Sequence, residues 1–258
     1  MKCARSDSVE RSCLWTDSPD TLALSRDDVH VWRLWLNPTE HELKMLERTL
    51  AADEYARAER FRFAHDRIRF IAARGSLRII LSRYVGTDPS KLTFSYGPRG
   101  KPSLAQPIEA TTLKFNLSHS AELALAAITQ DREIGVDIEE IHLIEDAERI
   151  AERFFSPREN AVLRSLSEEE RLEAFFHCWT RKEAYVKATG DGLSRPTESF
   201  DVTLAPGEPA RLLNVEGQSH EPLRWSLVGL TPARGYAGAV AVQGHNWTLA
   251  CWQWRQHA

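Results

Sequence analysis

Leu123-Ala124-Leu125-Ala126-Ala127-Ile128, followed by Gln130-Asp131 and then Ile134-Gly135-Val136-Asp137-Ile138-Glu139, is the stretch that decides the fold. Two short apolar runs joined by a polar turn read as consecutive strands. Parallel neighbours need a long crossover, normally helical, so this pair breaks the βαβ rhythm of a parallel sheet. Working outward, Val29–Leu36 reads as a first strand. Residues 39–50 and 51–62 read as helices, 66–84 as a longer one, and 145–154, 157–166 and 169–188 as three more. Trp225–Leu230, Gly238–Val242 and Trp247–Trp254 read as strands. Helices alternate with strands without a regular crossover, so the fold class is α+β. Residues 1–27, dominated by Ser, Asp, Arg and Glu, read as a loosely ordered extension.

The 258 residues suffice for one large domain or two smaller ones, and 42% hydrophobic residues supply a sizeable core. The net charge of -4, without a basic tract, argues against a nucleic-acid partner, because phosphate affinity rests on clustered Lys and Arg. Cys3, Cys13, Cys178 and Cys251 form no CxxC pair and read as reduced thiols of a cytoplasmic protein. Met1–Asp20 lacks the apolar region of a secretory signal. No run approaches the roughly 18 apolar residues of a membrane span, so no membrane partner is expected.

Along Ile134–Glu139, side chains alternate faces. Ile134, Val136 and Ile138 point to one side, and Asp137 and Glu139 to the other, roughly 6–7 Å apart along the strand. Two such carboxylates suit either a solvated face or a cation. In the helix at 169–188, Leu172, Phe176 and Trp179 form an apolar stripe, and Glu183 falls in its middle. A buried Glu needs a partner. Lys187, four residues on, offers an intrahelical pair; a metal is the alternative. Three carboxylates with few candidate His or Cys ligands suit a hard cation such as Mg²⁺, which shares its ligands with substrate phosphates. No P-loop or dinucleotide fingerprint is present.

Gly135-Val136-Asp137-Ile138-Glu139 and Trp179-Thr180-Arg181-Lys182-Glu183-Ala184-Tyr185-Val186-Lys187 resemble the two signature motifs of the 4'-phosphopantetheinyl transferases, surfactin-type branch. Phe115-Asn116-Leu117-Ser118-His119-Ser120 is similar to a third motif and Gly100-Lys101-Pro102 to a fourth. Arg153–Glu159 matches the link between the signatures. The resemblance runs from about 29 to 242. It implies a pseudo-dimer of two similar α+β halves, 28–130 and 131–258, with the active site between them and a monomeric chain. It implies that Asp137, Glu139 and Glu183 bind Mg²⁺, with Mn²⁺ as a substitute. It further implies that coenzyme A is held by Arg69, Arg74, Lys101, Pro102, Ser118, His119 and Lys187, with Asp137 and Glu183 also at the ligand. The catalytic pair would be Glu159 and Lys187. The partner would be an apo acyl or peptidyl carrier protein whose serine receives the phosphopantetheine, giving holo carrier and 3',5'-ADP.

Glu159 keeps two readings. Ser156-Pro157-Arg158-Glu159 is a capping box, with Ser at the N-cap, Pro at N1 and Glu at N3. The family places its general base at the same position. Two other functions compete. A metal nuclease would use the Asp-x-Glu strand pair, but Ile141 stands where such sites usually carry a lysine. A non-catalytic coenzyme A or carrier-binding module would have lost a metal ligand, and all three acids are present.

Overall fold

The computed structural model describes residues 13–105, 112–192 and 195–255, and they form an α+β fold. The first part contains β1 (Thr16–Asp17), β2 (Asp28–Trp35), α1 (Glu40–Glu47), α2 (Ala52–Ala58), α3 (Ala64–Val85), β3 (Phe94–Tyr96), β4 (Pro102–Leu104), β5 (Leu113–Ser120) and β6 (Leu123–Gln130). The second contains β7 (Ile134–Glu140), α4 (Ala147–Phe154), α5 (Pro157–Ser165), α6 (Glu168–Thr189), β8 (Phe200–Val202), β9 (Leu212–Val215), β10 (Trp225–Leu230), β11 (Tyr236–Gln243) and β12 (Thr248–Gln253). The order repeats: a strand, three helices of which the third has 22 residues, a two-stranded ribbon, and two further strands. The antiparallel pairing repeats as well, as β2–β6–β5 and β7–β11–β10.

Alternation along the strands builds four layers. In β2 and β6, Trp32, Leu34, Ala124, Ala126 and Ile128 face α3, meeting Ile71, Leu77 and Ile80. The alternate residues Val29, Val31, Leu123, Leu125 and Ala127 face the second sheet, meeting Ile134, Val136, Ile138, Val240 and Val242. On the far side of that sheet, Ala237, Ala239 and Ala241 face Ala184, Tyr185 and Ala188 of α6. Each large aliphatic side chain fully buried this way contributes about 1.5–3 kcal/mol. Small residues set how near α6 comes. A Cβ on Gly135 would lie 2.1 Å from the Ala184 carbonyl oxygen and 2.3 Å from Ala188 N, so only glycine permits this approach.

Local signals fix the helix ends. Thr39 and Glu42 cap α1 reciprocally, and Ser156 and Glu159 cap α5 in the same way. Gly190, at φ +73°, terminates α6 in the left-handed region that glycine enters without strain. Helices expected over 39–50 and 51–62 are shorter, because the chain turns at Arg48–Ala51 and again after Ala58.

Three features bear on the sequence reading. The extension is anchored where it is described. β1 pairs with β12, Leu22 and Leu24 pack on the first core, and Arg83 donates to Ser18 Oγ at 3.0 Å and to the Pro19 carbonyl at 2.7 Å. Cys13 and Cys251 are joined in a disulfide, against the expectation of reduced thiols. β1 running alongside β12 brings their Cα atoms to 6.0 Å, within bridging range. Cys178 is free and buried, and Cys3 lies outside the described residues. β12 also crosses the division expected at 130/131, because it joins the first sheet, parallel to β2. Among the described residues no helix is long and apolar enough to cross a membrane.

Candidate active site

β5 and β7 are edge strands of different sheets and lie side by side. Polar side chains join them. Asn116, Ser118 and Ser120, at every second position of β5, share one face. Asn116 Oδ1 accepts from Val136 N at 2.9 Å. Ser118 Oγ donates to Asp137 Oδ1 at 2.8 Å. Ser120 Oγ donates to Glu139 Oε2 at 2.8 Å and accepts from Glu140 N at 3.0 Å. The polar face of the Asn-x-Ser-x-Ser run is thus a seam between the two sheets.

α6 closes the third side. Lys187 Nζ donates to Asp137 Oδ1 at 2.6 Å and to Ser118 Oγ at 2.8 Å. The ammonium therefore reaches across to β7, where an i,i+4 contact with Glu183 was one expectation. Asp137 is 2% exposed, and its Oδ2 is buried without a hydrogen-bond partner among the described residues. Burial pushes the Asp137 carboxyl up, against the pull of Lys187. Glu139 and Glu183 are also raised, first by burial and then by the negative charge of Asp137. His119 is held below the usual histidine range by partial desolvation and by the positive charges of Lys187, Arg69 and Arg57. Asp66 acts on His119 in the opposite sense to these cations.

A cavity of about 760 Å³ opens beside this seam. The β3–β4 turn lines one side with Arg99, Lys101 and Pro102, and α6 lines another with Trp179, Glu183 and Lys187. Of the expected site residues, Lys101, Pro102, Glu183 and Lys187 reach this wall, and Ser118 and Asp137 stand behind Lys187.

Arg69, His119 and Glu139 do not line the cavity, and two further expected residues, Arg74 and Glu159, are turned into the interior. Arg74 is buried in the first half, where its guanidinium pairs with Glu54, donates to Tyr96 Oη at 2.9 Å and lies over the Phe94 ring at 4.1 Å. Glu159 is 1% exposed and does not line the cavity. Its Oε2 accepts from Ser156 N and from Lys182 Nζ, each at 2.7 Å, and its Oε1 accepts from Val202 N at 2.7 Å. Lys182 also donates to the Thr197 and Phe200 carbonyls, at 2.8 and 2.6 Å. These contacts tie α5, α6 and β8 together. Sequence reasoning missed Lys182, although it lies inside a signature motif. It also missed Asn116 and Ser120, whose signal was the polar alternation beside Ser118, and Arg99, for which no local signal exists.

Whether the acids suit a divalent cation turns on donor chemistry. An orphaned buried oxygen on Asp137, and Glu139 and Glu183 raised by burial and by the charge of Asp137, form a hard-oxygen environment in which Lys187 is the cation bonded to Asp137. Among the described residues, however, no three His, Cys, Asp or Glu side chains are drawn together tightly enough to share an ion. The donor types fit Mg²⁺, and the ligand set is not closed.

Comparison with known proteins supplies relatives. Residues 133–241 match the 4'-phosphopantetheinyl transferase superfamily, and residues 33–131 match the family described as 4'-phosphopantetheinyl transferase, N-terminal. The 4'-phosphopantetheinyl transferase HetI of Nostoc sp. is 44% identical over 240 residues, covering 93% of this chain and 98% of that protein. The 4'-phosphopantetheinyl transferase psf-1 of Bacillus pumilus is 36% identical, covering 66% and 71% of the two chains. The 4'-phosphopantetheinyl transferase Sfp of Bacillus subtilis is 33% identical, covering 60% and 66%.

Proposed function

The chain belongs to the 4'-phosphopantetheinyl transferase superfamily, and from that premise we propose how its own residues carry the reaction. It transfers the 4'-phosphopantetheine moiety of coenzyme A to a serine of an apo carrier protein, leaving holo carrier protein and 3',5'-ADP. The observation that carries the residue assignment is the Ser118–Asp137–Lys187 cluster at the seam, beside a cavity walled by both halves.

Coenzyme A occupies this cavity, with its diphosphate at Lys187 and Ser118. Lys187 offers positive charge, and Ser118 Oγ a hydroxyl that can reorient toward a phosphate oxygen. His119 and Arg69 take the 3'-phosphate beyond the cavity lining, and Pro102 borders the adenosine end. Asp137, Glu139 and Glu183 would hold Mg²⁺. When bound, the ion would offset the negative charge of the diphosphate and of the leaving group. The serine oxygen of the carrier attacks the β-phosphorus, its proton is released to solvent, and the bond from that phosphorus to the departing 3',5'-ADP oxygen breaks. Most of the catalytic work is alignment and charge placement.

The internal contacts of Glu159 support an anchoring role rather than proton acceptance, because every close partner of its carboxylate lies inside the protein. Arg74 has the same character. The repeated element order and strand pairing support two halves, 28–130 and 131–258, related as a pseudo-dimer within a monomeric chain, with β12 exchanged into the first. The test is mass spectrometry of an apo carrier incubated with the protein, coenzyme A and Mg²⁺. A gain of the phosphopantetheine mass on the carrier serine is expected. Unchanged mass on acyl and peptidyl carriers alike rejects the reading.

A further inference from the structure

Lys101 ends the turn between β3 and β4, which Gly97 N to Lys101 O (3.0 Å) and Gly100 N to Gly97 O (2.9 Å) hold closed. Its side chain leaves its own half. The ammonium donates to the Ala188 carbonyl at 2.9 Å, to the Ile134 carbonyl at 3.2 Å and to Glu133 Oε2 at 3.2 Å. A lysine ammonium carries three N–H donors, so these acceptors use all of them and leave none for a ligand phosphate. Ala188 lies in the last turn of α6, where carbonyls lack intrahelical partners and a cation offsets the helix dipole. The same turn makes a second attachment. Arg99 pairs with Asp191 just beyond α6, at 3.2 Å from its carboxylate, and Arg195 holds Asp191 from its own side at 2.6 Å. A Cβ on Gly192 would lie 3.5 Å from the Arg99 stem, so the two segments are in near contact.

We propose that Lys101 is a positioning residue, clamping the C-terminal end of α6 to the N-terminal half and so fixing where Lys187 and Glu183 stand in the cavity. This rests on the transferase reading of Lys187. Lys187 immediately precedes the clamped Ala188, so a slack helix end displaces the ammonium that holds Asp137 and faces the substrate.

Four variants decide it: Lys101→Met, Lys101→Arg, Lys187→Ala, and Lys101→Met combined with Lys187→Ala. Turnover is followed at saturating coenzyme A, coenzyme A affinity by titration calorimetry, and folding by thermal melting. Lys101→Met should lose roughly tenfold in kcat while coenzyme A Kd changes by less than about threefold, the signature of an effect on the reacting geometry. Lys101→Arg, which keeps a cationic donor, should recover most of kcat. In the Lys187→Ala background, Lys101→Met should cost less than about twofold more, because residues acting through one another are not additive. Full kcat with coenzyme A weakened tenfold or more would make Lys101 a direct ligand contact and overturn the proposal. So would a lowered melting temperature with full kcat below it, or fully additive losses in the double variant. If Lys101→Met does not fold, Arg99→Met carries the same test through the second attachment, with the same non-additivity expected. A Lys187→Ala enzyme with wild-type turnover would reject the reading of Lys187 and the clamp with it. Dependence on Lys187 combined with additive losses rejects the clamp alone.

Discussion

The interiors of the two halves and the seam between them treat a buried carboxylate in opposite ways. In the first half, Glu54 meets Arg74 with one oxygen and Arg78 and Ala51 N with the other. In the second, Glu159 meets Val202 N with one oxygen, and Ser156 N and Lys182 with the other. At the seam, Asp137 places one oxygen against Lys187 and Ser118, and the other is buried without a partner among the described residues. A saturated cluster holds structure together. An unsaturated one keeps a cost that a ligand can relieve, and this is how a site differs from a framework.

The comparison breaks most visibly in the frameworks. Glu54→Ala or Glu159→Ala strands a buried cation, so each should lower unfolding stability by about 3–5 kcal/mol in urea titrations. Turnover per folded molecule should stay near wild type, and Glu159→Gln should keep turnover as well. If Glu159→Gln lost turnover with stability and coenzyme A affinity intact, Glu159 would be the proton acceptor and the framework assignment would fall.

The seam should show the reverse. Asp137→Ala and Glu183→Ala should each lower turnover on the order of 10²-fold, the scale of one lost electrostatic stabiliser. Circular dichroism should show both still folded. Near-normal turnover at saturating Mg²⁺ in both would end the assignment of these acids.

A finer contrast separates arginines of one helix. Arg69→Ala and His119→Ala should weaken coenzyme A by roughly 1.5–3 kcal/mol while leaving 3'-dephospho-coenzyme A nearly unaffected, the scale of one charge-assisted hydrogen bond. Arg74→Ala should lower stability without discriminating between the two ligands. Calorimetric titration with both ligands sorts the three residues, and equal weakening of both by Arg69→Ala would remove it from the 3'-phosphate.

The smallest expected effect is on acid stability, where interior and seam have opposite signs. His30 and His177, one in each half, are lowered by burial from 6.5 to about 4. The unfolded chain binds their protons first, so they cost stability progressively as pH falls from about 6.5 towards 4. The seam carboxylates, raised by burial, bind protons more readily when folded, so they favour the folded state as pH falls through their raised range. Replacing His177 with Gln should therefore flatten the loss of stability between pH 6.5 and 4. An unchanged slope would show that His177 does not remain neutral in the folded protein.

Much of this was legible in the sequence because the signals were local. The 2-residue period of Val29–Leu36 and of Ile134–Glu139, and the capping box at Ser156, each appear where expected. Glu183 on an apolar stripe pointed to the cavity that it lines. What stayed hidden depends on partners distant in the chain. Arg74 looked like any other arginine of a long helix until Glu54 was seen to turn it inward. The capping box of Glu159 was legible, and its counter-charge on Lys182 was not. The ribbons β3–β4 and β8–β9 are too short to show a period. Nothing near Cys13 announces Cys251, 238 residues away.

β12 sits between β1 and β2, so the sheet of the first half is completed by a strand made more than 200 residues after β2 begins. At ordinary rates of synthesis, that delay is on the order of 10–40 s. Throughout it, one edge of β2 presents unpaired backbone groups, which are a template for wrong partners. A nascent chain halted at the junction near residue 131 is therefore an unfinished half rather than a folded domain. A gene split at that point would yield a first fragment still lacking Thr248–Gln253, and the two fragments would have to meet before either was whole.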